Sequence, residues 1–350
     1  MRGDPQMSPG HLRHAWYAAA GSAELQDRPL AKTVLGEPLA LYRQQDGRAA
    51  ALLDRCPHRF APLSLGHVDG DSLVCPYHGL GFEADGRCSR VHAQERIPPA
   101  AQVRSFPVLE RYGLVFVWMG PPELADPAQL VEIPQYGAPG WGLSRGEMLF
   151  KARLINILDN LVDPAHTTFV HGRTIGNDAA ADIPVSAEDD GQGLVSCSRW
   201  VPAAAPVPVV ARFARPQGLV DRWQTYRVKL PCTSWVDFGS QDAGLPRDEA
   251  AMAQAPYRVL SYAFLTPVSE DQTLYYHFQL RNFAPQDEAV SQEFDRLYEQ
   301  TFDEDRVLLE AIEREEQRSP GLRPARMASD VGVARLRRLW AQMLERESGA

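Results

Sequence analysis

CPHRFAPLSLGHVDGDSLVCPYHGLGFEADGRC, residues 56–88, offers a cysteine and a histidine at two places, Cys56-Pro57-His58 and, sixteen residues on, Cys75-Pro76-Tyr77-His78. Two soft thiolates and two imidazoles can hold either zinc or a mixed-ligand iron–sulfur cluster. Zinc fingers usually place two cysteines together and two histidines together. Here each loop brings one of each, which suits a [2Fe-2S] cluster with Cys56 and Cys75 on one iron and His58 and His78 on the other. Neutral imidazoles in place of thiolates make the reduced cluster less negative and raise its potential.

Outward from these loops the chain alternates short β-prone runs with turn signals. Residues 30–55 carry GEP and QDG turns between apolar runs, and SLVCPYHGLGFEADG and ERYGLVFVWMG repeat the pattern. A small all-β unit over residues 1–120 follows, closed by Gly120-Pro121-Pro122 and a linker, DPAQLVEIPQYGAPGWG. Beyond it, 121–350 is mixed. LFKARLINILDNLVD predicts a helix in its second half, whereas 172–222, rich in Ala, Pro and Gly, is uninformative and is expected to include surface loops. WQTYRVKL, TSWVDFGS, YRVLSYAFL and TLYYHFQLRNF predict strands; amphipathic helices are expected over 291–317 and 329–346. Strands with flanking helices but no βαβ alternation predict an α+β domain built on an antiparallel sheet.

Composition narrows the function. The chain has 350 residues, 44% apolar and 23% charged, which is ample for two cores, and its formal charge of −9 argues against nucleic acid. No leader-like segment opens MRGDPQMSPGHLRHAWYAAAG and no stretch suits a membrane span, so a cytoplasmic protein with reduced thiols is expected. Five cysteines cannot all pair; Cys88, Cys197 and Cys232 read as ordinary thiols, and His67 and His92 as neighbours of the cluster loops.

A second constellation lies in Asn160-Leu161-Val162-Asp163-Pro164-Ala165-His166-Thr167-Thr168-Phe169-Val170-His171. Asn160, Asp163 and His166 would share a helical face, whereas His166 and His171 converge only if the helix kinks or ends between them. Such a run serves capping or core hydrogen bonding as readily as metal binding. Two histidines and a carboxylate on one face leave coordination positions open, the pattern of non-haem ferrous sites. SQEFDRLYEQTFDEDRVLLEAIE offers Asp303, Glu304 and Asp305 as the third ligand. On a helical wheel Asp305 sits among Phe294, Tyr298, Thr301, Phe302, Leu308, Leu309 and Ile312, with Asp303 on the polar side. A carboxylate in an apolar stripe needs a partner, either a metal or an arginine.

The 56–88 stretch closely resembles the Rieske domain of bacterial aromatic-ring oxygenases, and the resemblance to Rieske non-haem iron oxygenases, oxygenase component, spans nearly the whole chain, thinning over 175–255. It implies a Rieske domain over 1–120 and a helix-grip, START-like catalytic domain over 121–350. In the monooxygenase branch an Asn-x-x-Asp-x-x-His-x-x-x-x-His run and a Glu-Asp-x-x-x-x-Glu helix supply the iron ligands, matching His166, His171 and Asp305. The resemblance makes Asp163 the link between the centres, bonded to His166 and to His78 of a neighbouring subunit, with Asn160 beside the iron. The disulfide of respiratory Rieske proteins has no counterpart, since Phe60 or Ala61 and Tyr77 stand there. The implied cofactors are a [2Fe-2S] cluster and mononuclear Fe(II), with O2 as cosubstrate. NAD(P)H electrons would come through a separate flavin and ferredoxin-type reductase, as the chain has no GxGxxG or flavin signature. A homotrimer is implied. The motifs look most like the vanillate O-demethylase and dicamba monooxygenase group, implying O-demethylation of a methoxylated aromatic acid with release of formaldehyde. Methyl or ring hydroxylation, N-demethylation and plain electron carriage are the alternatives. Candidate pocket residues on the sheet are Tyr226, Trp235, Tyr262, Phe264, Tyr276, His277 and Phe283; Arg199, Arg222, Arg227 and Arg281 are candidate partners for a substrate carboxylate.

Overall fold

Glycine-punctuated β-prone runs become short strands in the first part of the computed structural model, which describes residues 10–349. Residues 1–9 of the segment read against a leader, and the outer ends of both expected domains, lie outside the described residues. The strands are β1 (Trp16–Gly21), β2 (Leu30–Val34), β3 (Glu37–Arg43), β4 (Ala49–Leu53), β5 (His67–Asp69), β6 (Ser72–Val74), β7 (Gly81–Phe82), β8 (Cys88–Arg90), β9 (Ser105–Phe106), β10 (Val108–Arg111) and β11 (Leu114–Trp118). They form three sheets, β1-β11-β10, β2-β3-β4-β9 and β5-β6-β7-β8. Tyr42, Leu52, Leu63, Leu73 and Phe82 pack into one core with Cys56, Cys75 and Cys88, so both cluster-loop cysteines are anchored in apolar surroundings.

The chain divides into two compact units, one running to Val131 together with Thr266–Glu270 and one holding the remainder. The division falls beyond Gly120 because Trp16 Nε1 donates to Asp126 O at 2.9 Å and Tyr112 Oη to Val131 O at 3.0 Å. Those bonds tie the irregular 121–131 segment to the β-rich unit.

The second unit contains β12 (Gly142–Phe150), α1 (Leu154–Leu161), β13 (Ser186–Asp189), β14 (Leu194–Ala204), α2 (Pro208–Phe213), β15 (Val220–Lys229), β16 (Thr233–Asp242), α3 (Glu249–Ala253), β17 (Tyr257–Pro267), β18 (Thr273–Arg281), α4 (Glu288–Arg318) and α5 (Val331–Ser348). Its strands form one sheet in the order β12-β18-β17-β16-β15-β14-β13. Helix α4 lies along β12, α5 along β13 and β14, and α1 against β15 and β16. The Asp287 side chain caps α4 by accepting from Val290 N at 3.1 Å.

Residues 172–222, where the sequence shows no clear period, hold β13, β14, α2 and the start of β15 between loops. Strand β14 buries Val195, Cys197, Arg199 and Val201 on alternate positions. A hydropathy alternation fails on that row because one inward residue is an arginine, buried with every guanidinium nitrogen hydrogen-bonded. Along α4 the stripe holds at Phe294, Tyr298, Thr301, Phe302, Asp305 and Leu309, but Leu308 and Ile312 are 42% and 39% exposed. Past Leu309 the inward face turns to Glu313, which accepts from Arg153 Nε and Asn156 Nδ2, both at 2.8 Å.

Candidate functional site

The cluster loops are built alike. Cys56 N donates to Ala61 O at 2.9 Å and Phe60 N to Cys56 O at 2.9 Å; Cys75 N donates to Leu80 O at 2.8 Å and Gly79 N to Cys75 O at 3.1 Å. The fifth residue of each loop, Phe60 at φ 61° and Gly79 at φ 68°, takes the left-handed conformation that closes it. At the first position the cysteine is buried, while His58 and His78 are exposed with ring centroids 4.5 Å apart. Burial pushes the Cys56 thiol up to about 11, with the adjacent Cys75 adding to the rise. A bound cation reverses that preference, because a coordinated thiol is deprotonated. Two sunken sulfurs and two outward imidazoles on paired loops fit a cluster with its histidine-held iron toward solvent. His92 packs its ring against Gly79, where a Cβ would come within 2.7 Å of Nε2, and His67 is exposed on β5.

In the second unit, α1 ends at Leu161 and a single 3-10 turn covers His166–Thr168, so the chain redirects between Asn160 and His171. That break is what lets the two histidines converge. One ligand atom each from His166, His171 and Asp305 lies within 4.8 Å of the others. His171 Nε2 is 3.2 Å and His166 Nε2 3.7 Å from Asp305 Oδ1. Ligands at right angles about an ion with bonds of ~2.1 Å stand about 3 Å apart, close to the spacing of Asp305 and His171, with His166 somewhat farther out. Asn160 Nδ2 donates to Asp305 Oδ1 at 3.1 Å.

Two details depart from expectation. Asp163 does not bond the His166 ring: Oδ2 is 3.9 Å from Nδ1. Its oxygens accept instead from Ala165 N at 2.7 Å and His166 N at 3.3 Å, because a carboxylate at the start of a turn is captured by the turn's own amides. Glu304, offered by sequence only as a possible ligand, bonds His171 Nδ1 at 2.8 Å. With Nδ1–H donating to that carboxylate, Nε2 keeps its lone pair for a metal. One residue before Asp305 on α4 is the only signal that could have found Glu304. Asp303 pairs with Arg306.

Burial disfavours charge throughout the group, and the neighbours decide each outcome. Desolvation pulls His166 below its ordinary value, only partly offset by Asp305. For His171 desolvation is outweighed by Asp305 and Glu304, and the imidazole is raised. Desolvation of Asp305 is likewise outweighed, by His171, His166 and Asn160, and its carboxyl is lowered.

The group opens on a cavity of about 640 Å³, mouth included. Tyr226 lines it, along with Tyr275, Tyr298, Phe238 and Phe302. Of the other expected sheet residues, Trp235 stacks on Tyr262 at 6.1 Å, and Phe264 meets Phe278 at 5.8 Å. Phe283 stacks on Tyr257 at 4.9 Å, and neither it, Tyr276 nor His277 lines the cavity. Side chains alternate across a strand, and against Tyr262, Phe264 and Tyr276 the strands β17 and β18 turn the opposite parity inward at Val259, Ser261, Ala263 and Tyr275, while His277 shares the Tyr275 face but packs on Phe302. None of the four candidate arginines faces the cavity. Arg199, Arg222 and Arg281 are buried on protein partners: Arg199 on Gln224, Ala180, Thr167 and Thr168, Arg222 on Asn177, and Arg281 on Ala284 and Ser291.

Comparison with known proteins covers both regions. Residues 15–107 match the Rieske [2Fe-2S] domain and residues 150–346 the vanillate O-demethylase oxygenase C-terminal domain. The chain is 35% identical to a toluene-4-sulfonate monooxygenase system iron-sulfur subunit of Comamonas testosteroni, over 97% of this chain and 98% of that one. It is also 35% identical to the oxygenase component of dicamba O-demethylase of Stenotrophomonas maltophilia, over 93% and 96%. The crystal structure of dicamba monooxygenase bound to dicamba superposes with a TM-score of 0.87 at 33% identity, covering 97% of this chain and 99% of that one. Another structure of that enzyme, with non-heme iron and dicamba, matches at 0.81, with 32% identity over 96% and 98%. This chain therefore belongs to the Rieske non-haem iron oxygenases, as an oxygenase component of the vanillate O-demethylase kind.

Proposed function

We propose that the chain is the terminal oxygenase of a demethylating or methyl-hydroxylating system, with O-demethylation of a methoxylated aromatic as its leading reaction. The supporting observation is a two-histidine, one-carboxylate group on the wall of a largely apolar cavity. Cys56, Cys75, His58 and His78 would hold the cluster, which supplies single electrons. His166, His171 and Asp305 would hold the ferrous ion, which supplies open positions for O2 and passes on the electrons that the cluster delivers.

The residues around that ion carry the positioning. Glu304 keeps the His171 proton at Nδ1, and Asn160 fixes the Asp305 carboxylate. Tyr226, Tyr275, Tyr298, Phe238 and Phe302 form an aromatic lining that excludes water and presents the substituent to the metal face. Asp163 stiffens the turn under His166, and its partial exposure suits a contact with the exposed His78 of a neighbouring subunit in a trimeric ring.

The balanced reaction is Ar–OCH3 + O2 + NAD(P)H + H+ → Ar–OH + HCHO + H2O + NAD(P)+. A C–H bond becomes C–OH, one oxygen atom leaves as water, and the hemiacetal breaks its C–O bond to release phenol and formaldehyde. Two electrons come from the nicotinamide through the reductase. The test is a screen of methoxylated, methylated and N-methylated aromatics with a surrogate reductase, reading formaldehyde, product mass and iron. Substrate-dependent formaldehyde with about three irons per chain is expected, two in the cluster and one mononuclear. Two irons per chain and no substrate-dependent O2 uptake would show an electron carrier instead.

A further inference from the structure

The floor of the cavity is three cross-strand rows of the sheet. Gln224, Phe238 and Val259 form one, Tyr226, Val236 and Ser261 the next, and Ser234 with Ala263 the third, each side chain facing its neighbour across β15, β16 and β17. The roof is the end of α1, the turn carrying the two histidines, and α4.

Among the described residues this wall has no lysine and no arginine. Its ionisable groups are His166, His171 and Asp305, which belong to the metal, and three tyrosines that burial holds protonated. Behind the wall stands Arg199, with each of its three nitrogens already bonded to the protein. Nε reaches Gln224 Oε1 at 2.5 Å, Nη1 reaches Ala180 O at 3.0 Å, and Nη2 reaches Thr167 Oγ1 at 2.9 Å and Thr168 Oγ1 at 3.3 Å. A substrate anion could reach it only by breaking the bonds that hold Gln224 and Thr167 in place. An unpaired carboxylate carried into such a space forfeits hydration and meets only neutral donors in return, with no side-chain countercharge. The one positive charge a loaded site offers is the metal's own, and an anion bound there would occupy the positions O2 needs.

One polar atom on the floor has been left for a ligand. The Ser234 side chain is 1% exposed, and its Oγ has no hydrogen-bond partner among the described residues. A hydroxyl can donate or accept, so it suits an ether, phenol or amide. Beside that row, Gln224 has its carbonyl on Arg199, leaving its N–H groups as donors. We propose that this cavity takes its aromatic substrate as an uncharged molecule, with Ser234 bonding the polar substituent that is not oxidised. The proposal rests on the oxygenase reading and narrows it from methoxylated aromatics in general to uncharged ones, against the aromatic acid that the sequence resemblance implies.

The test compares 4-methoxybenzamide, 4-methoxybenzoate and 4-methoxytoluene on the iron-loaded holoenzyme at pH 7. Binding is read by calorimetry without oxygen, and turnover by formaldehyde with a surrogate reductase. The amide is expected to bind at least about tenfold more tightly than the benzoate. Ser234→Ala should weaken the amide by about five- to tenfold and leave 4-methoxytoluene unchanged. Ser234→Lys, which adds a cation, should reverse the preference toward the benzoate. Equal or tighter binding of the benzoate by the unmodified protein overturns the proposal, whereas formaldehyde from it would leave the oxygenase reading standing. Tight amide binding without O2 uptake from any of the three would do the opposite.

Discussion

Glu304 and Asp163 show how a single carboxylate's role depends on which nitrogen it faces. Glu304 meets a ring nitrogen of His171 at 2.8 Å, and removing its charge should loosen a histidine whose other nitrogen points at Asp305. Glu304→Gln is expected to lower ferrous affinity by about tenfold or more. Titration with iron of the cluster-loaded variant checks this, and its visible spectrum should match the parent. Asp163 acts on the backbone, bonding the amides of Ala165 and His166. An amide oxygen at that place still accepts, so Asp163→Asn should keep both metals and slow electron transfer to the mononuclear site. Single-turnover rates together with iron analysis separate these outcomes; loss of iron would contradict the assigned role.

At the level of elements, the turn between α1 and His171 decides whether a site exists. Gly176 lies beneath it: a Cβ there would stand 2.0 Å from Thr167 O and 3.3 Å from His171 O. Both contacts are backbone, so a side chain would push the turn that carries the ligands. Gly176→Ala should cost about 1–3 kcal/mol of stability and at least about tenfold in iron affinity, with the cluster unaffected. Denaturant melts and iron titration read the two effects separately, and unaltered iron affinity would show that the turn tolerates the shift. This turn was only half legible. The spacing of His166 and His171 required a break in the helix, but the place of the break follows from α1 stopping at Leu161. Helix α4 was legible up to Leu309; beyond it the Glu313 bonds to Arg153 and Asn156 rotate the buried face in a way no hydropathy wheel contains.

For the whole molecule, acid stability gives a direct test of packing around the sheet. His277 is buried against Phe302 at 4.7 Å with Nδ1 at 3.1 Å from Gln279 Oε1, and burial brings its pKa down to about 4. The unfolded chain protonates this imidazole near 6.5, so stability from the neutral form is complete above that pH and drains away as pH falls toward 4. The loss from this one group between pH 6.5 and 5 is about 2 kcal/mol. His277→Gln should flatten that part of the profile, as urea melts at pH 7.5, 6 and 5 would show. An unchanged slope would mean that the imidazole charges without penalty.

The sequence by itself determined the cluster loops, because Cys56, His58, Cys75 and His78 lie close together and each loop is closed by local backbone bonds. It also determined the periodicities of β15–β18 and of α1, α4 and α5, and the odd carboxylate at Asp305, since a charge in an apolar stripe is visible one helix at a time. Only the tertiary structure decided what comes from elements far apart in the chain. It set Glu304 on His171, engaged Arg199 behind the wall, turned Ser261 and Tyr275 rather than Tyr262 and Tyr276 inward, and left the Ser234 hydroxyl without a partner among the described residues. A strand's alternation names two faces but not which one is inside; register against neighbouring strands fixes that, and with it the lining that meets the substrate.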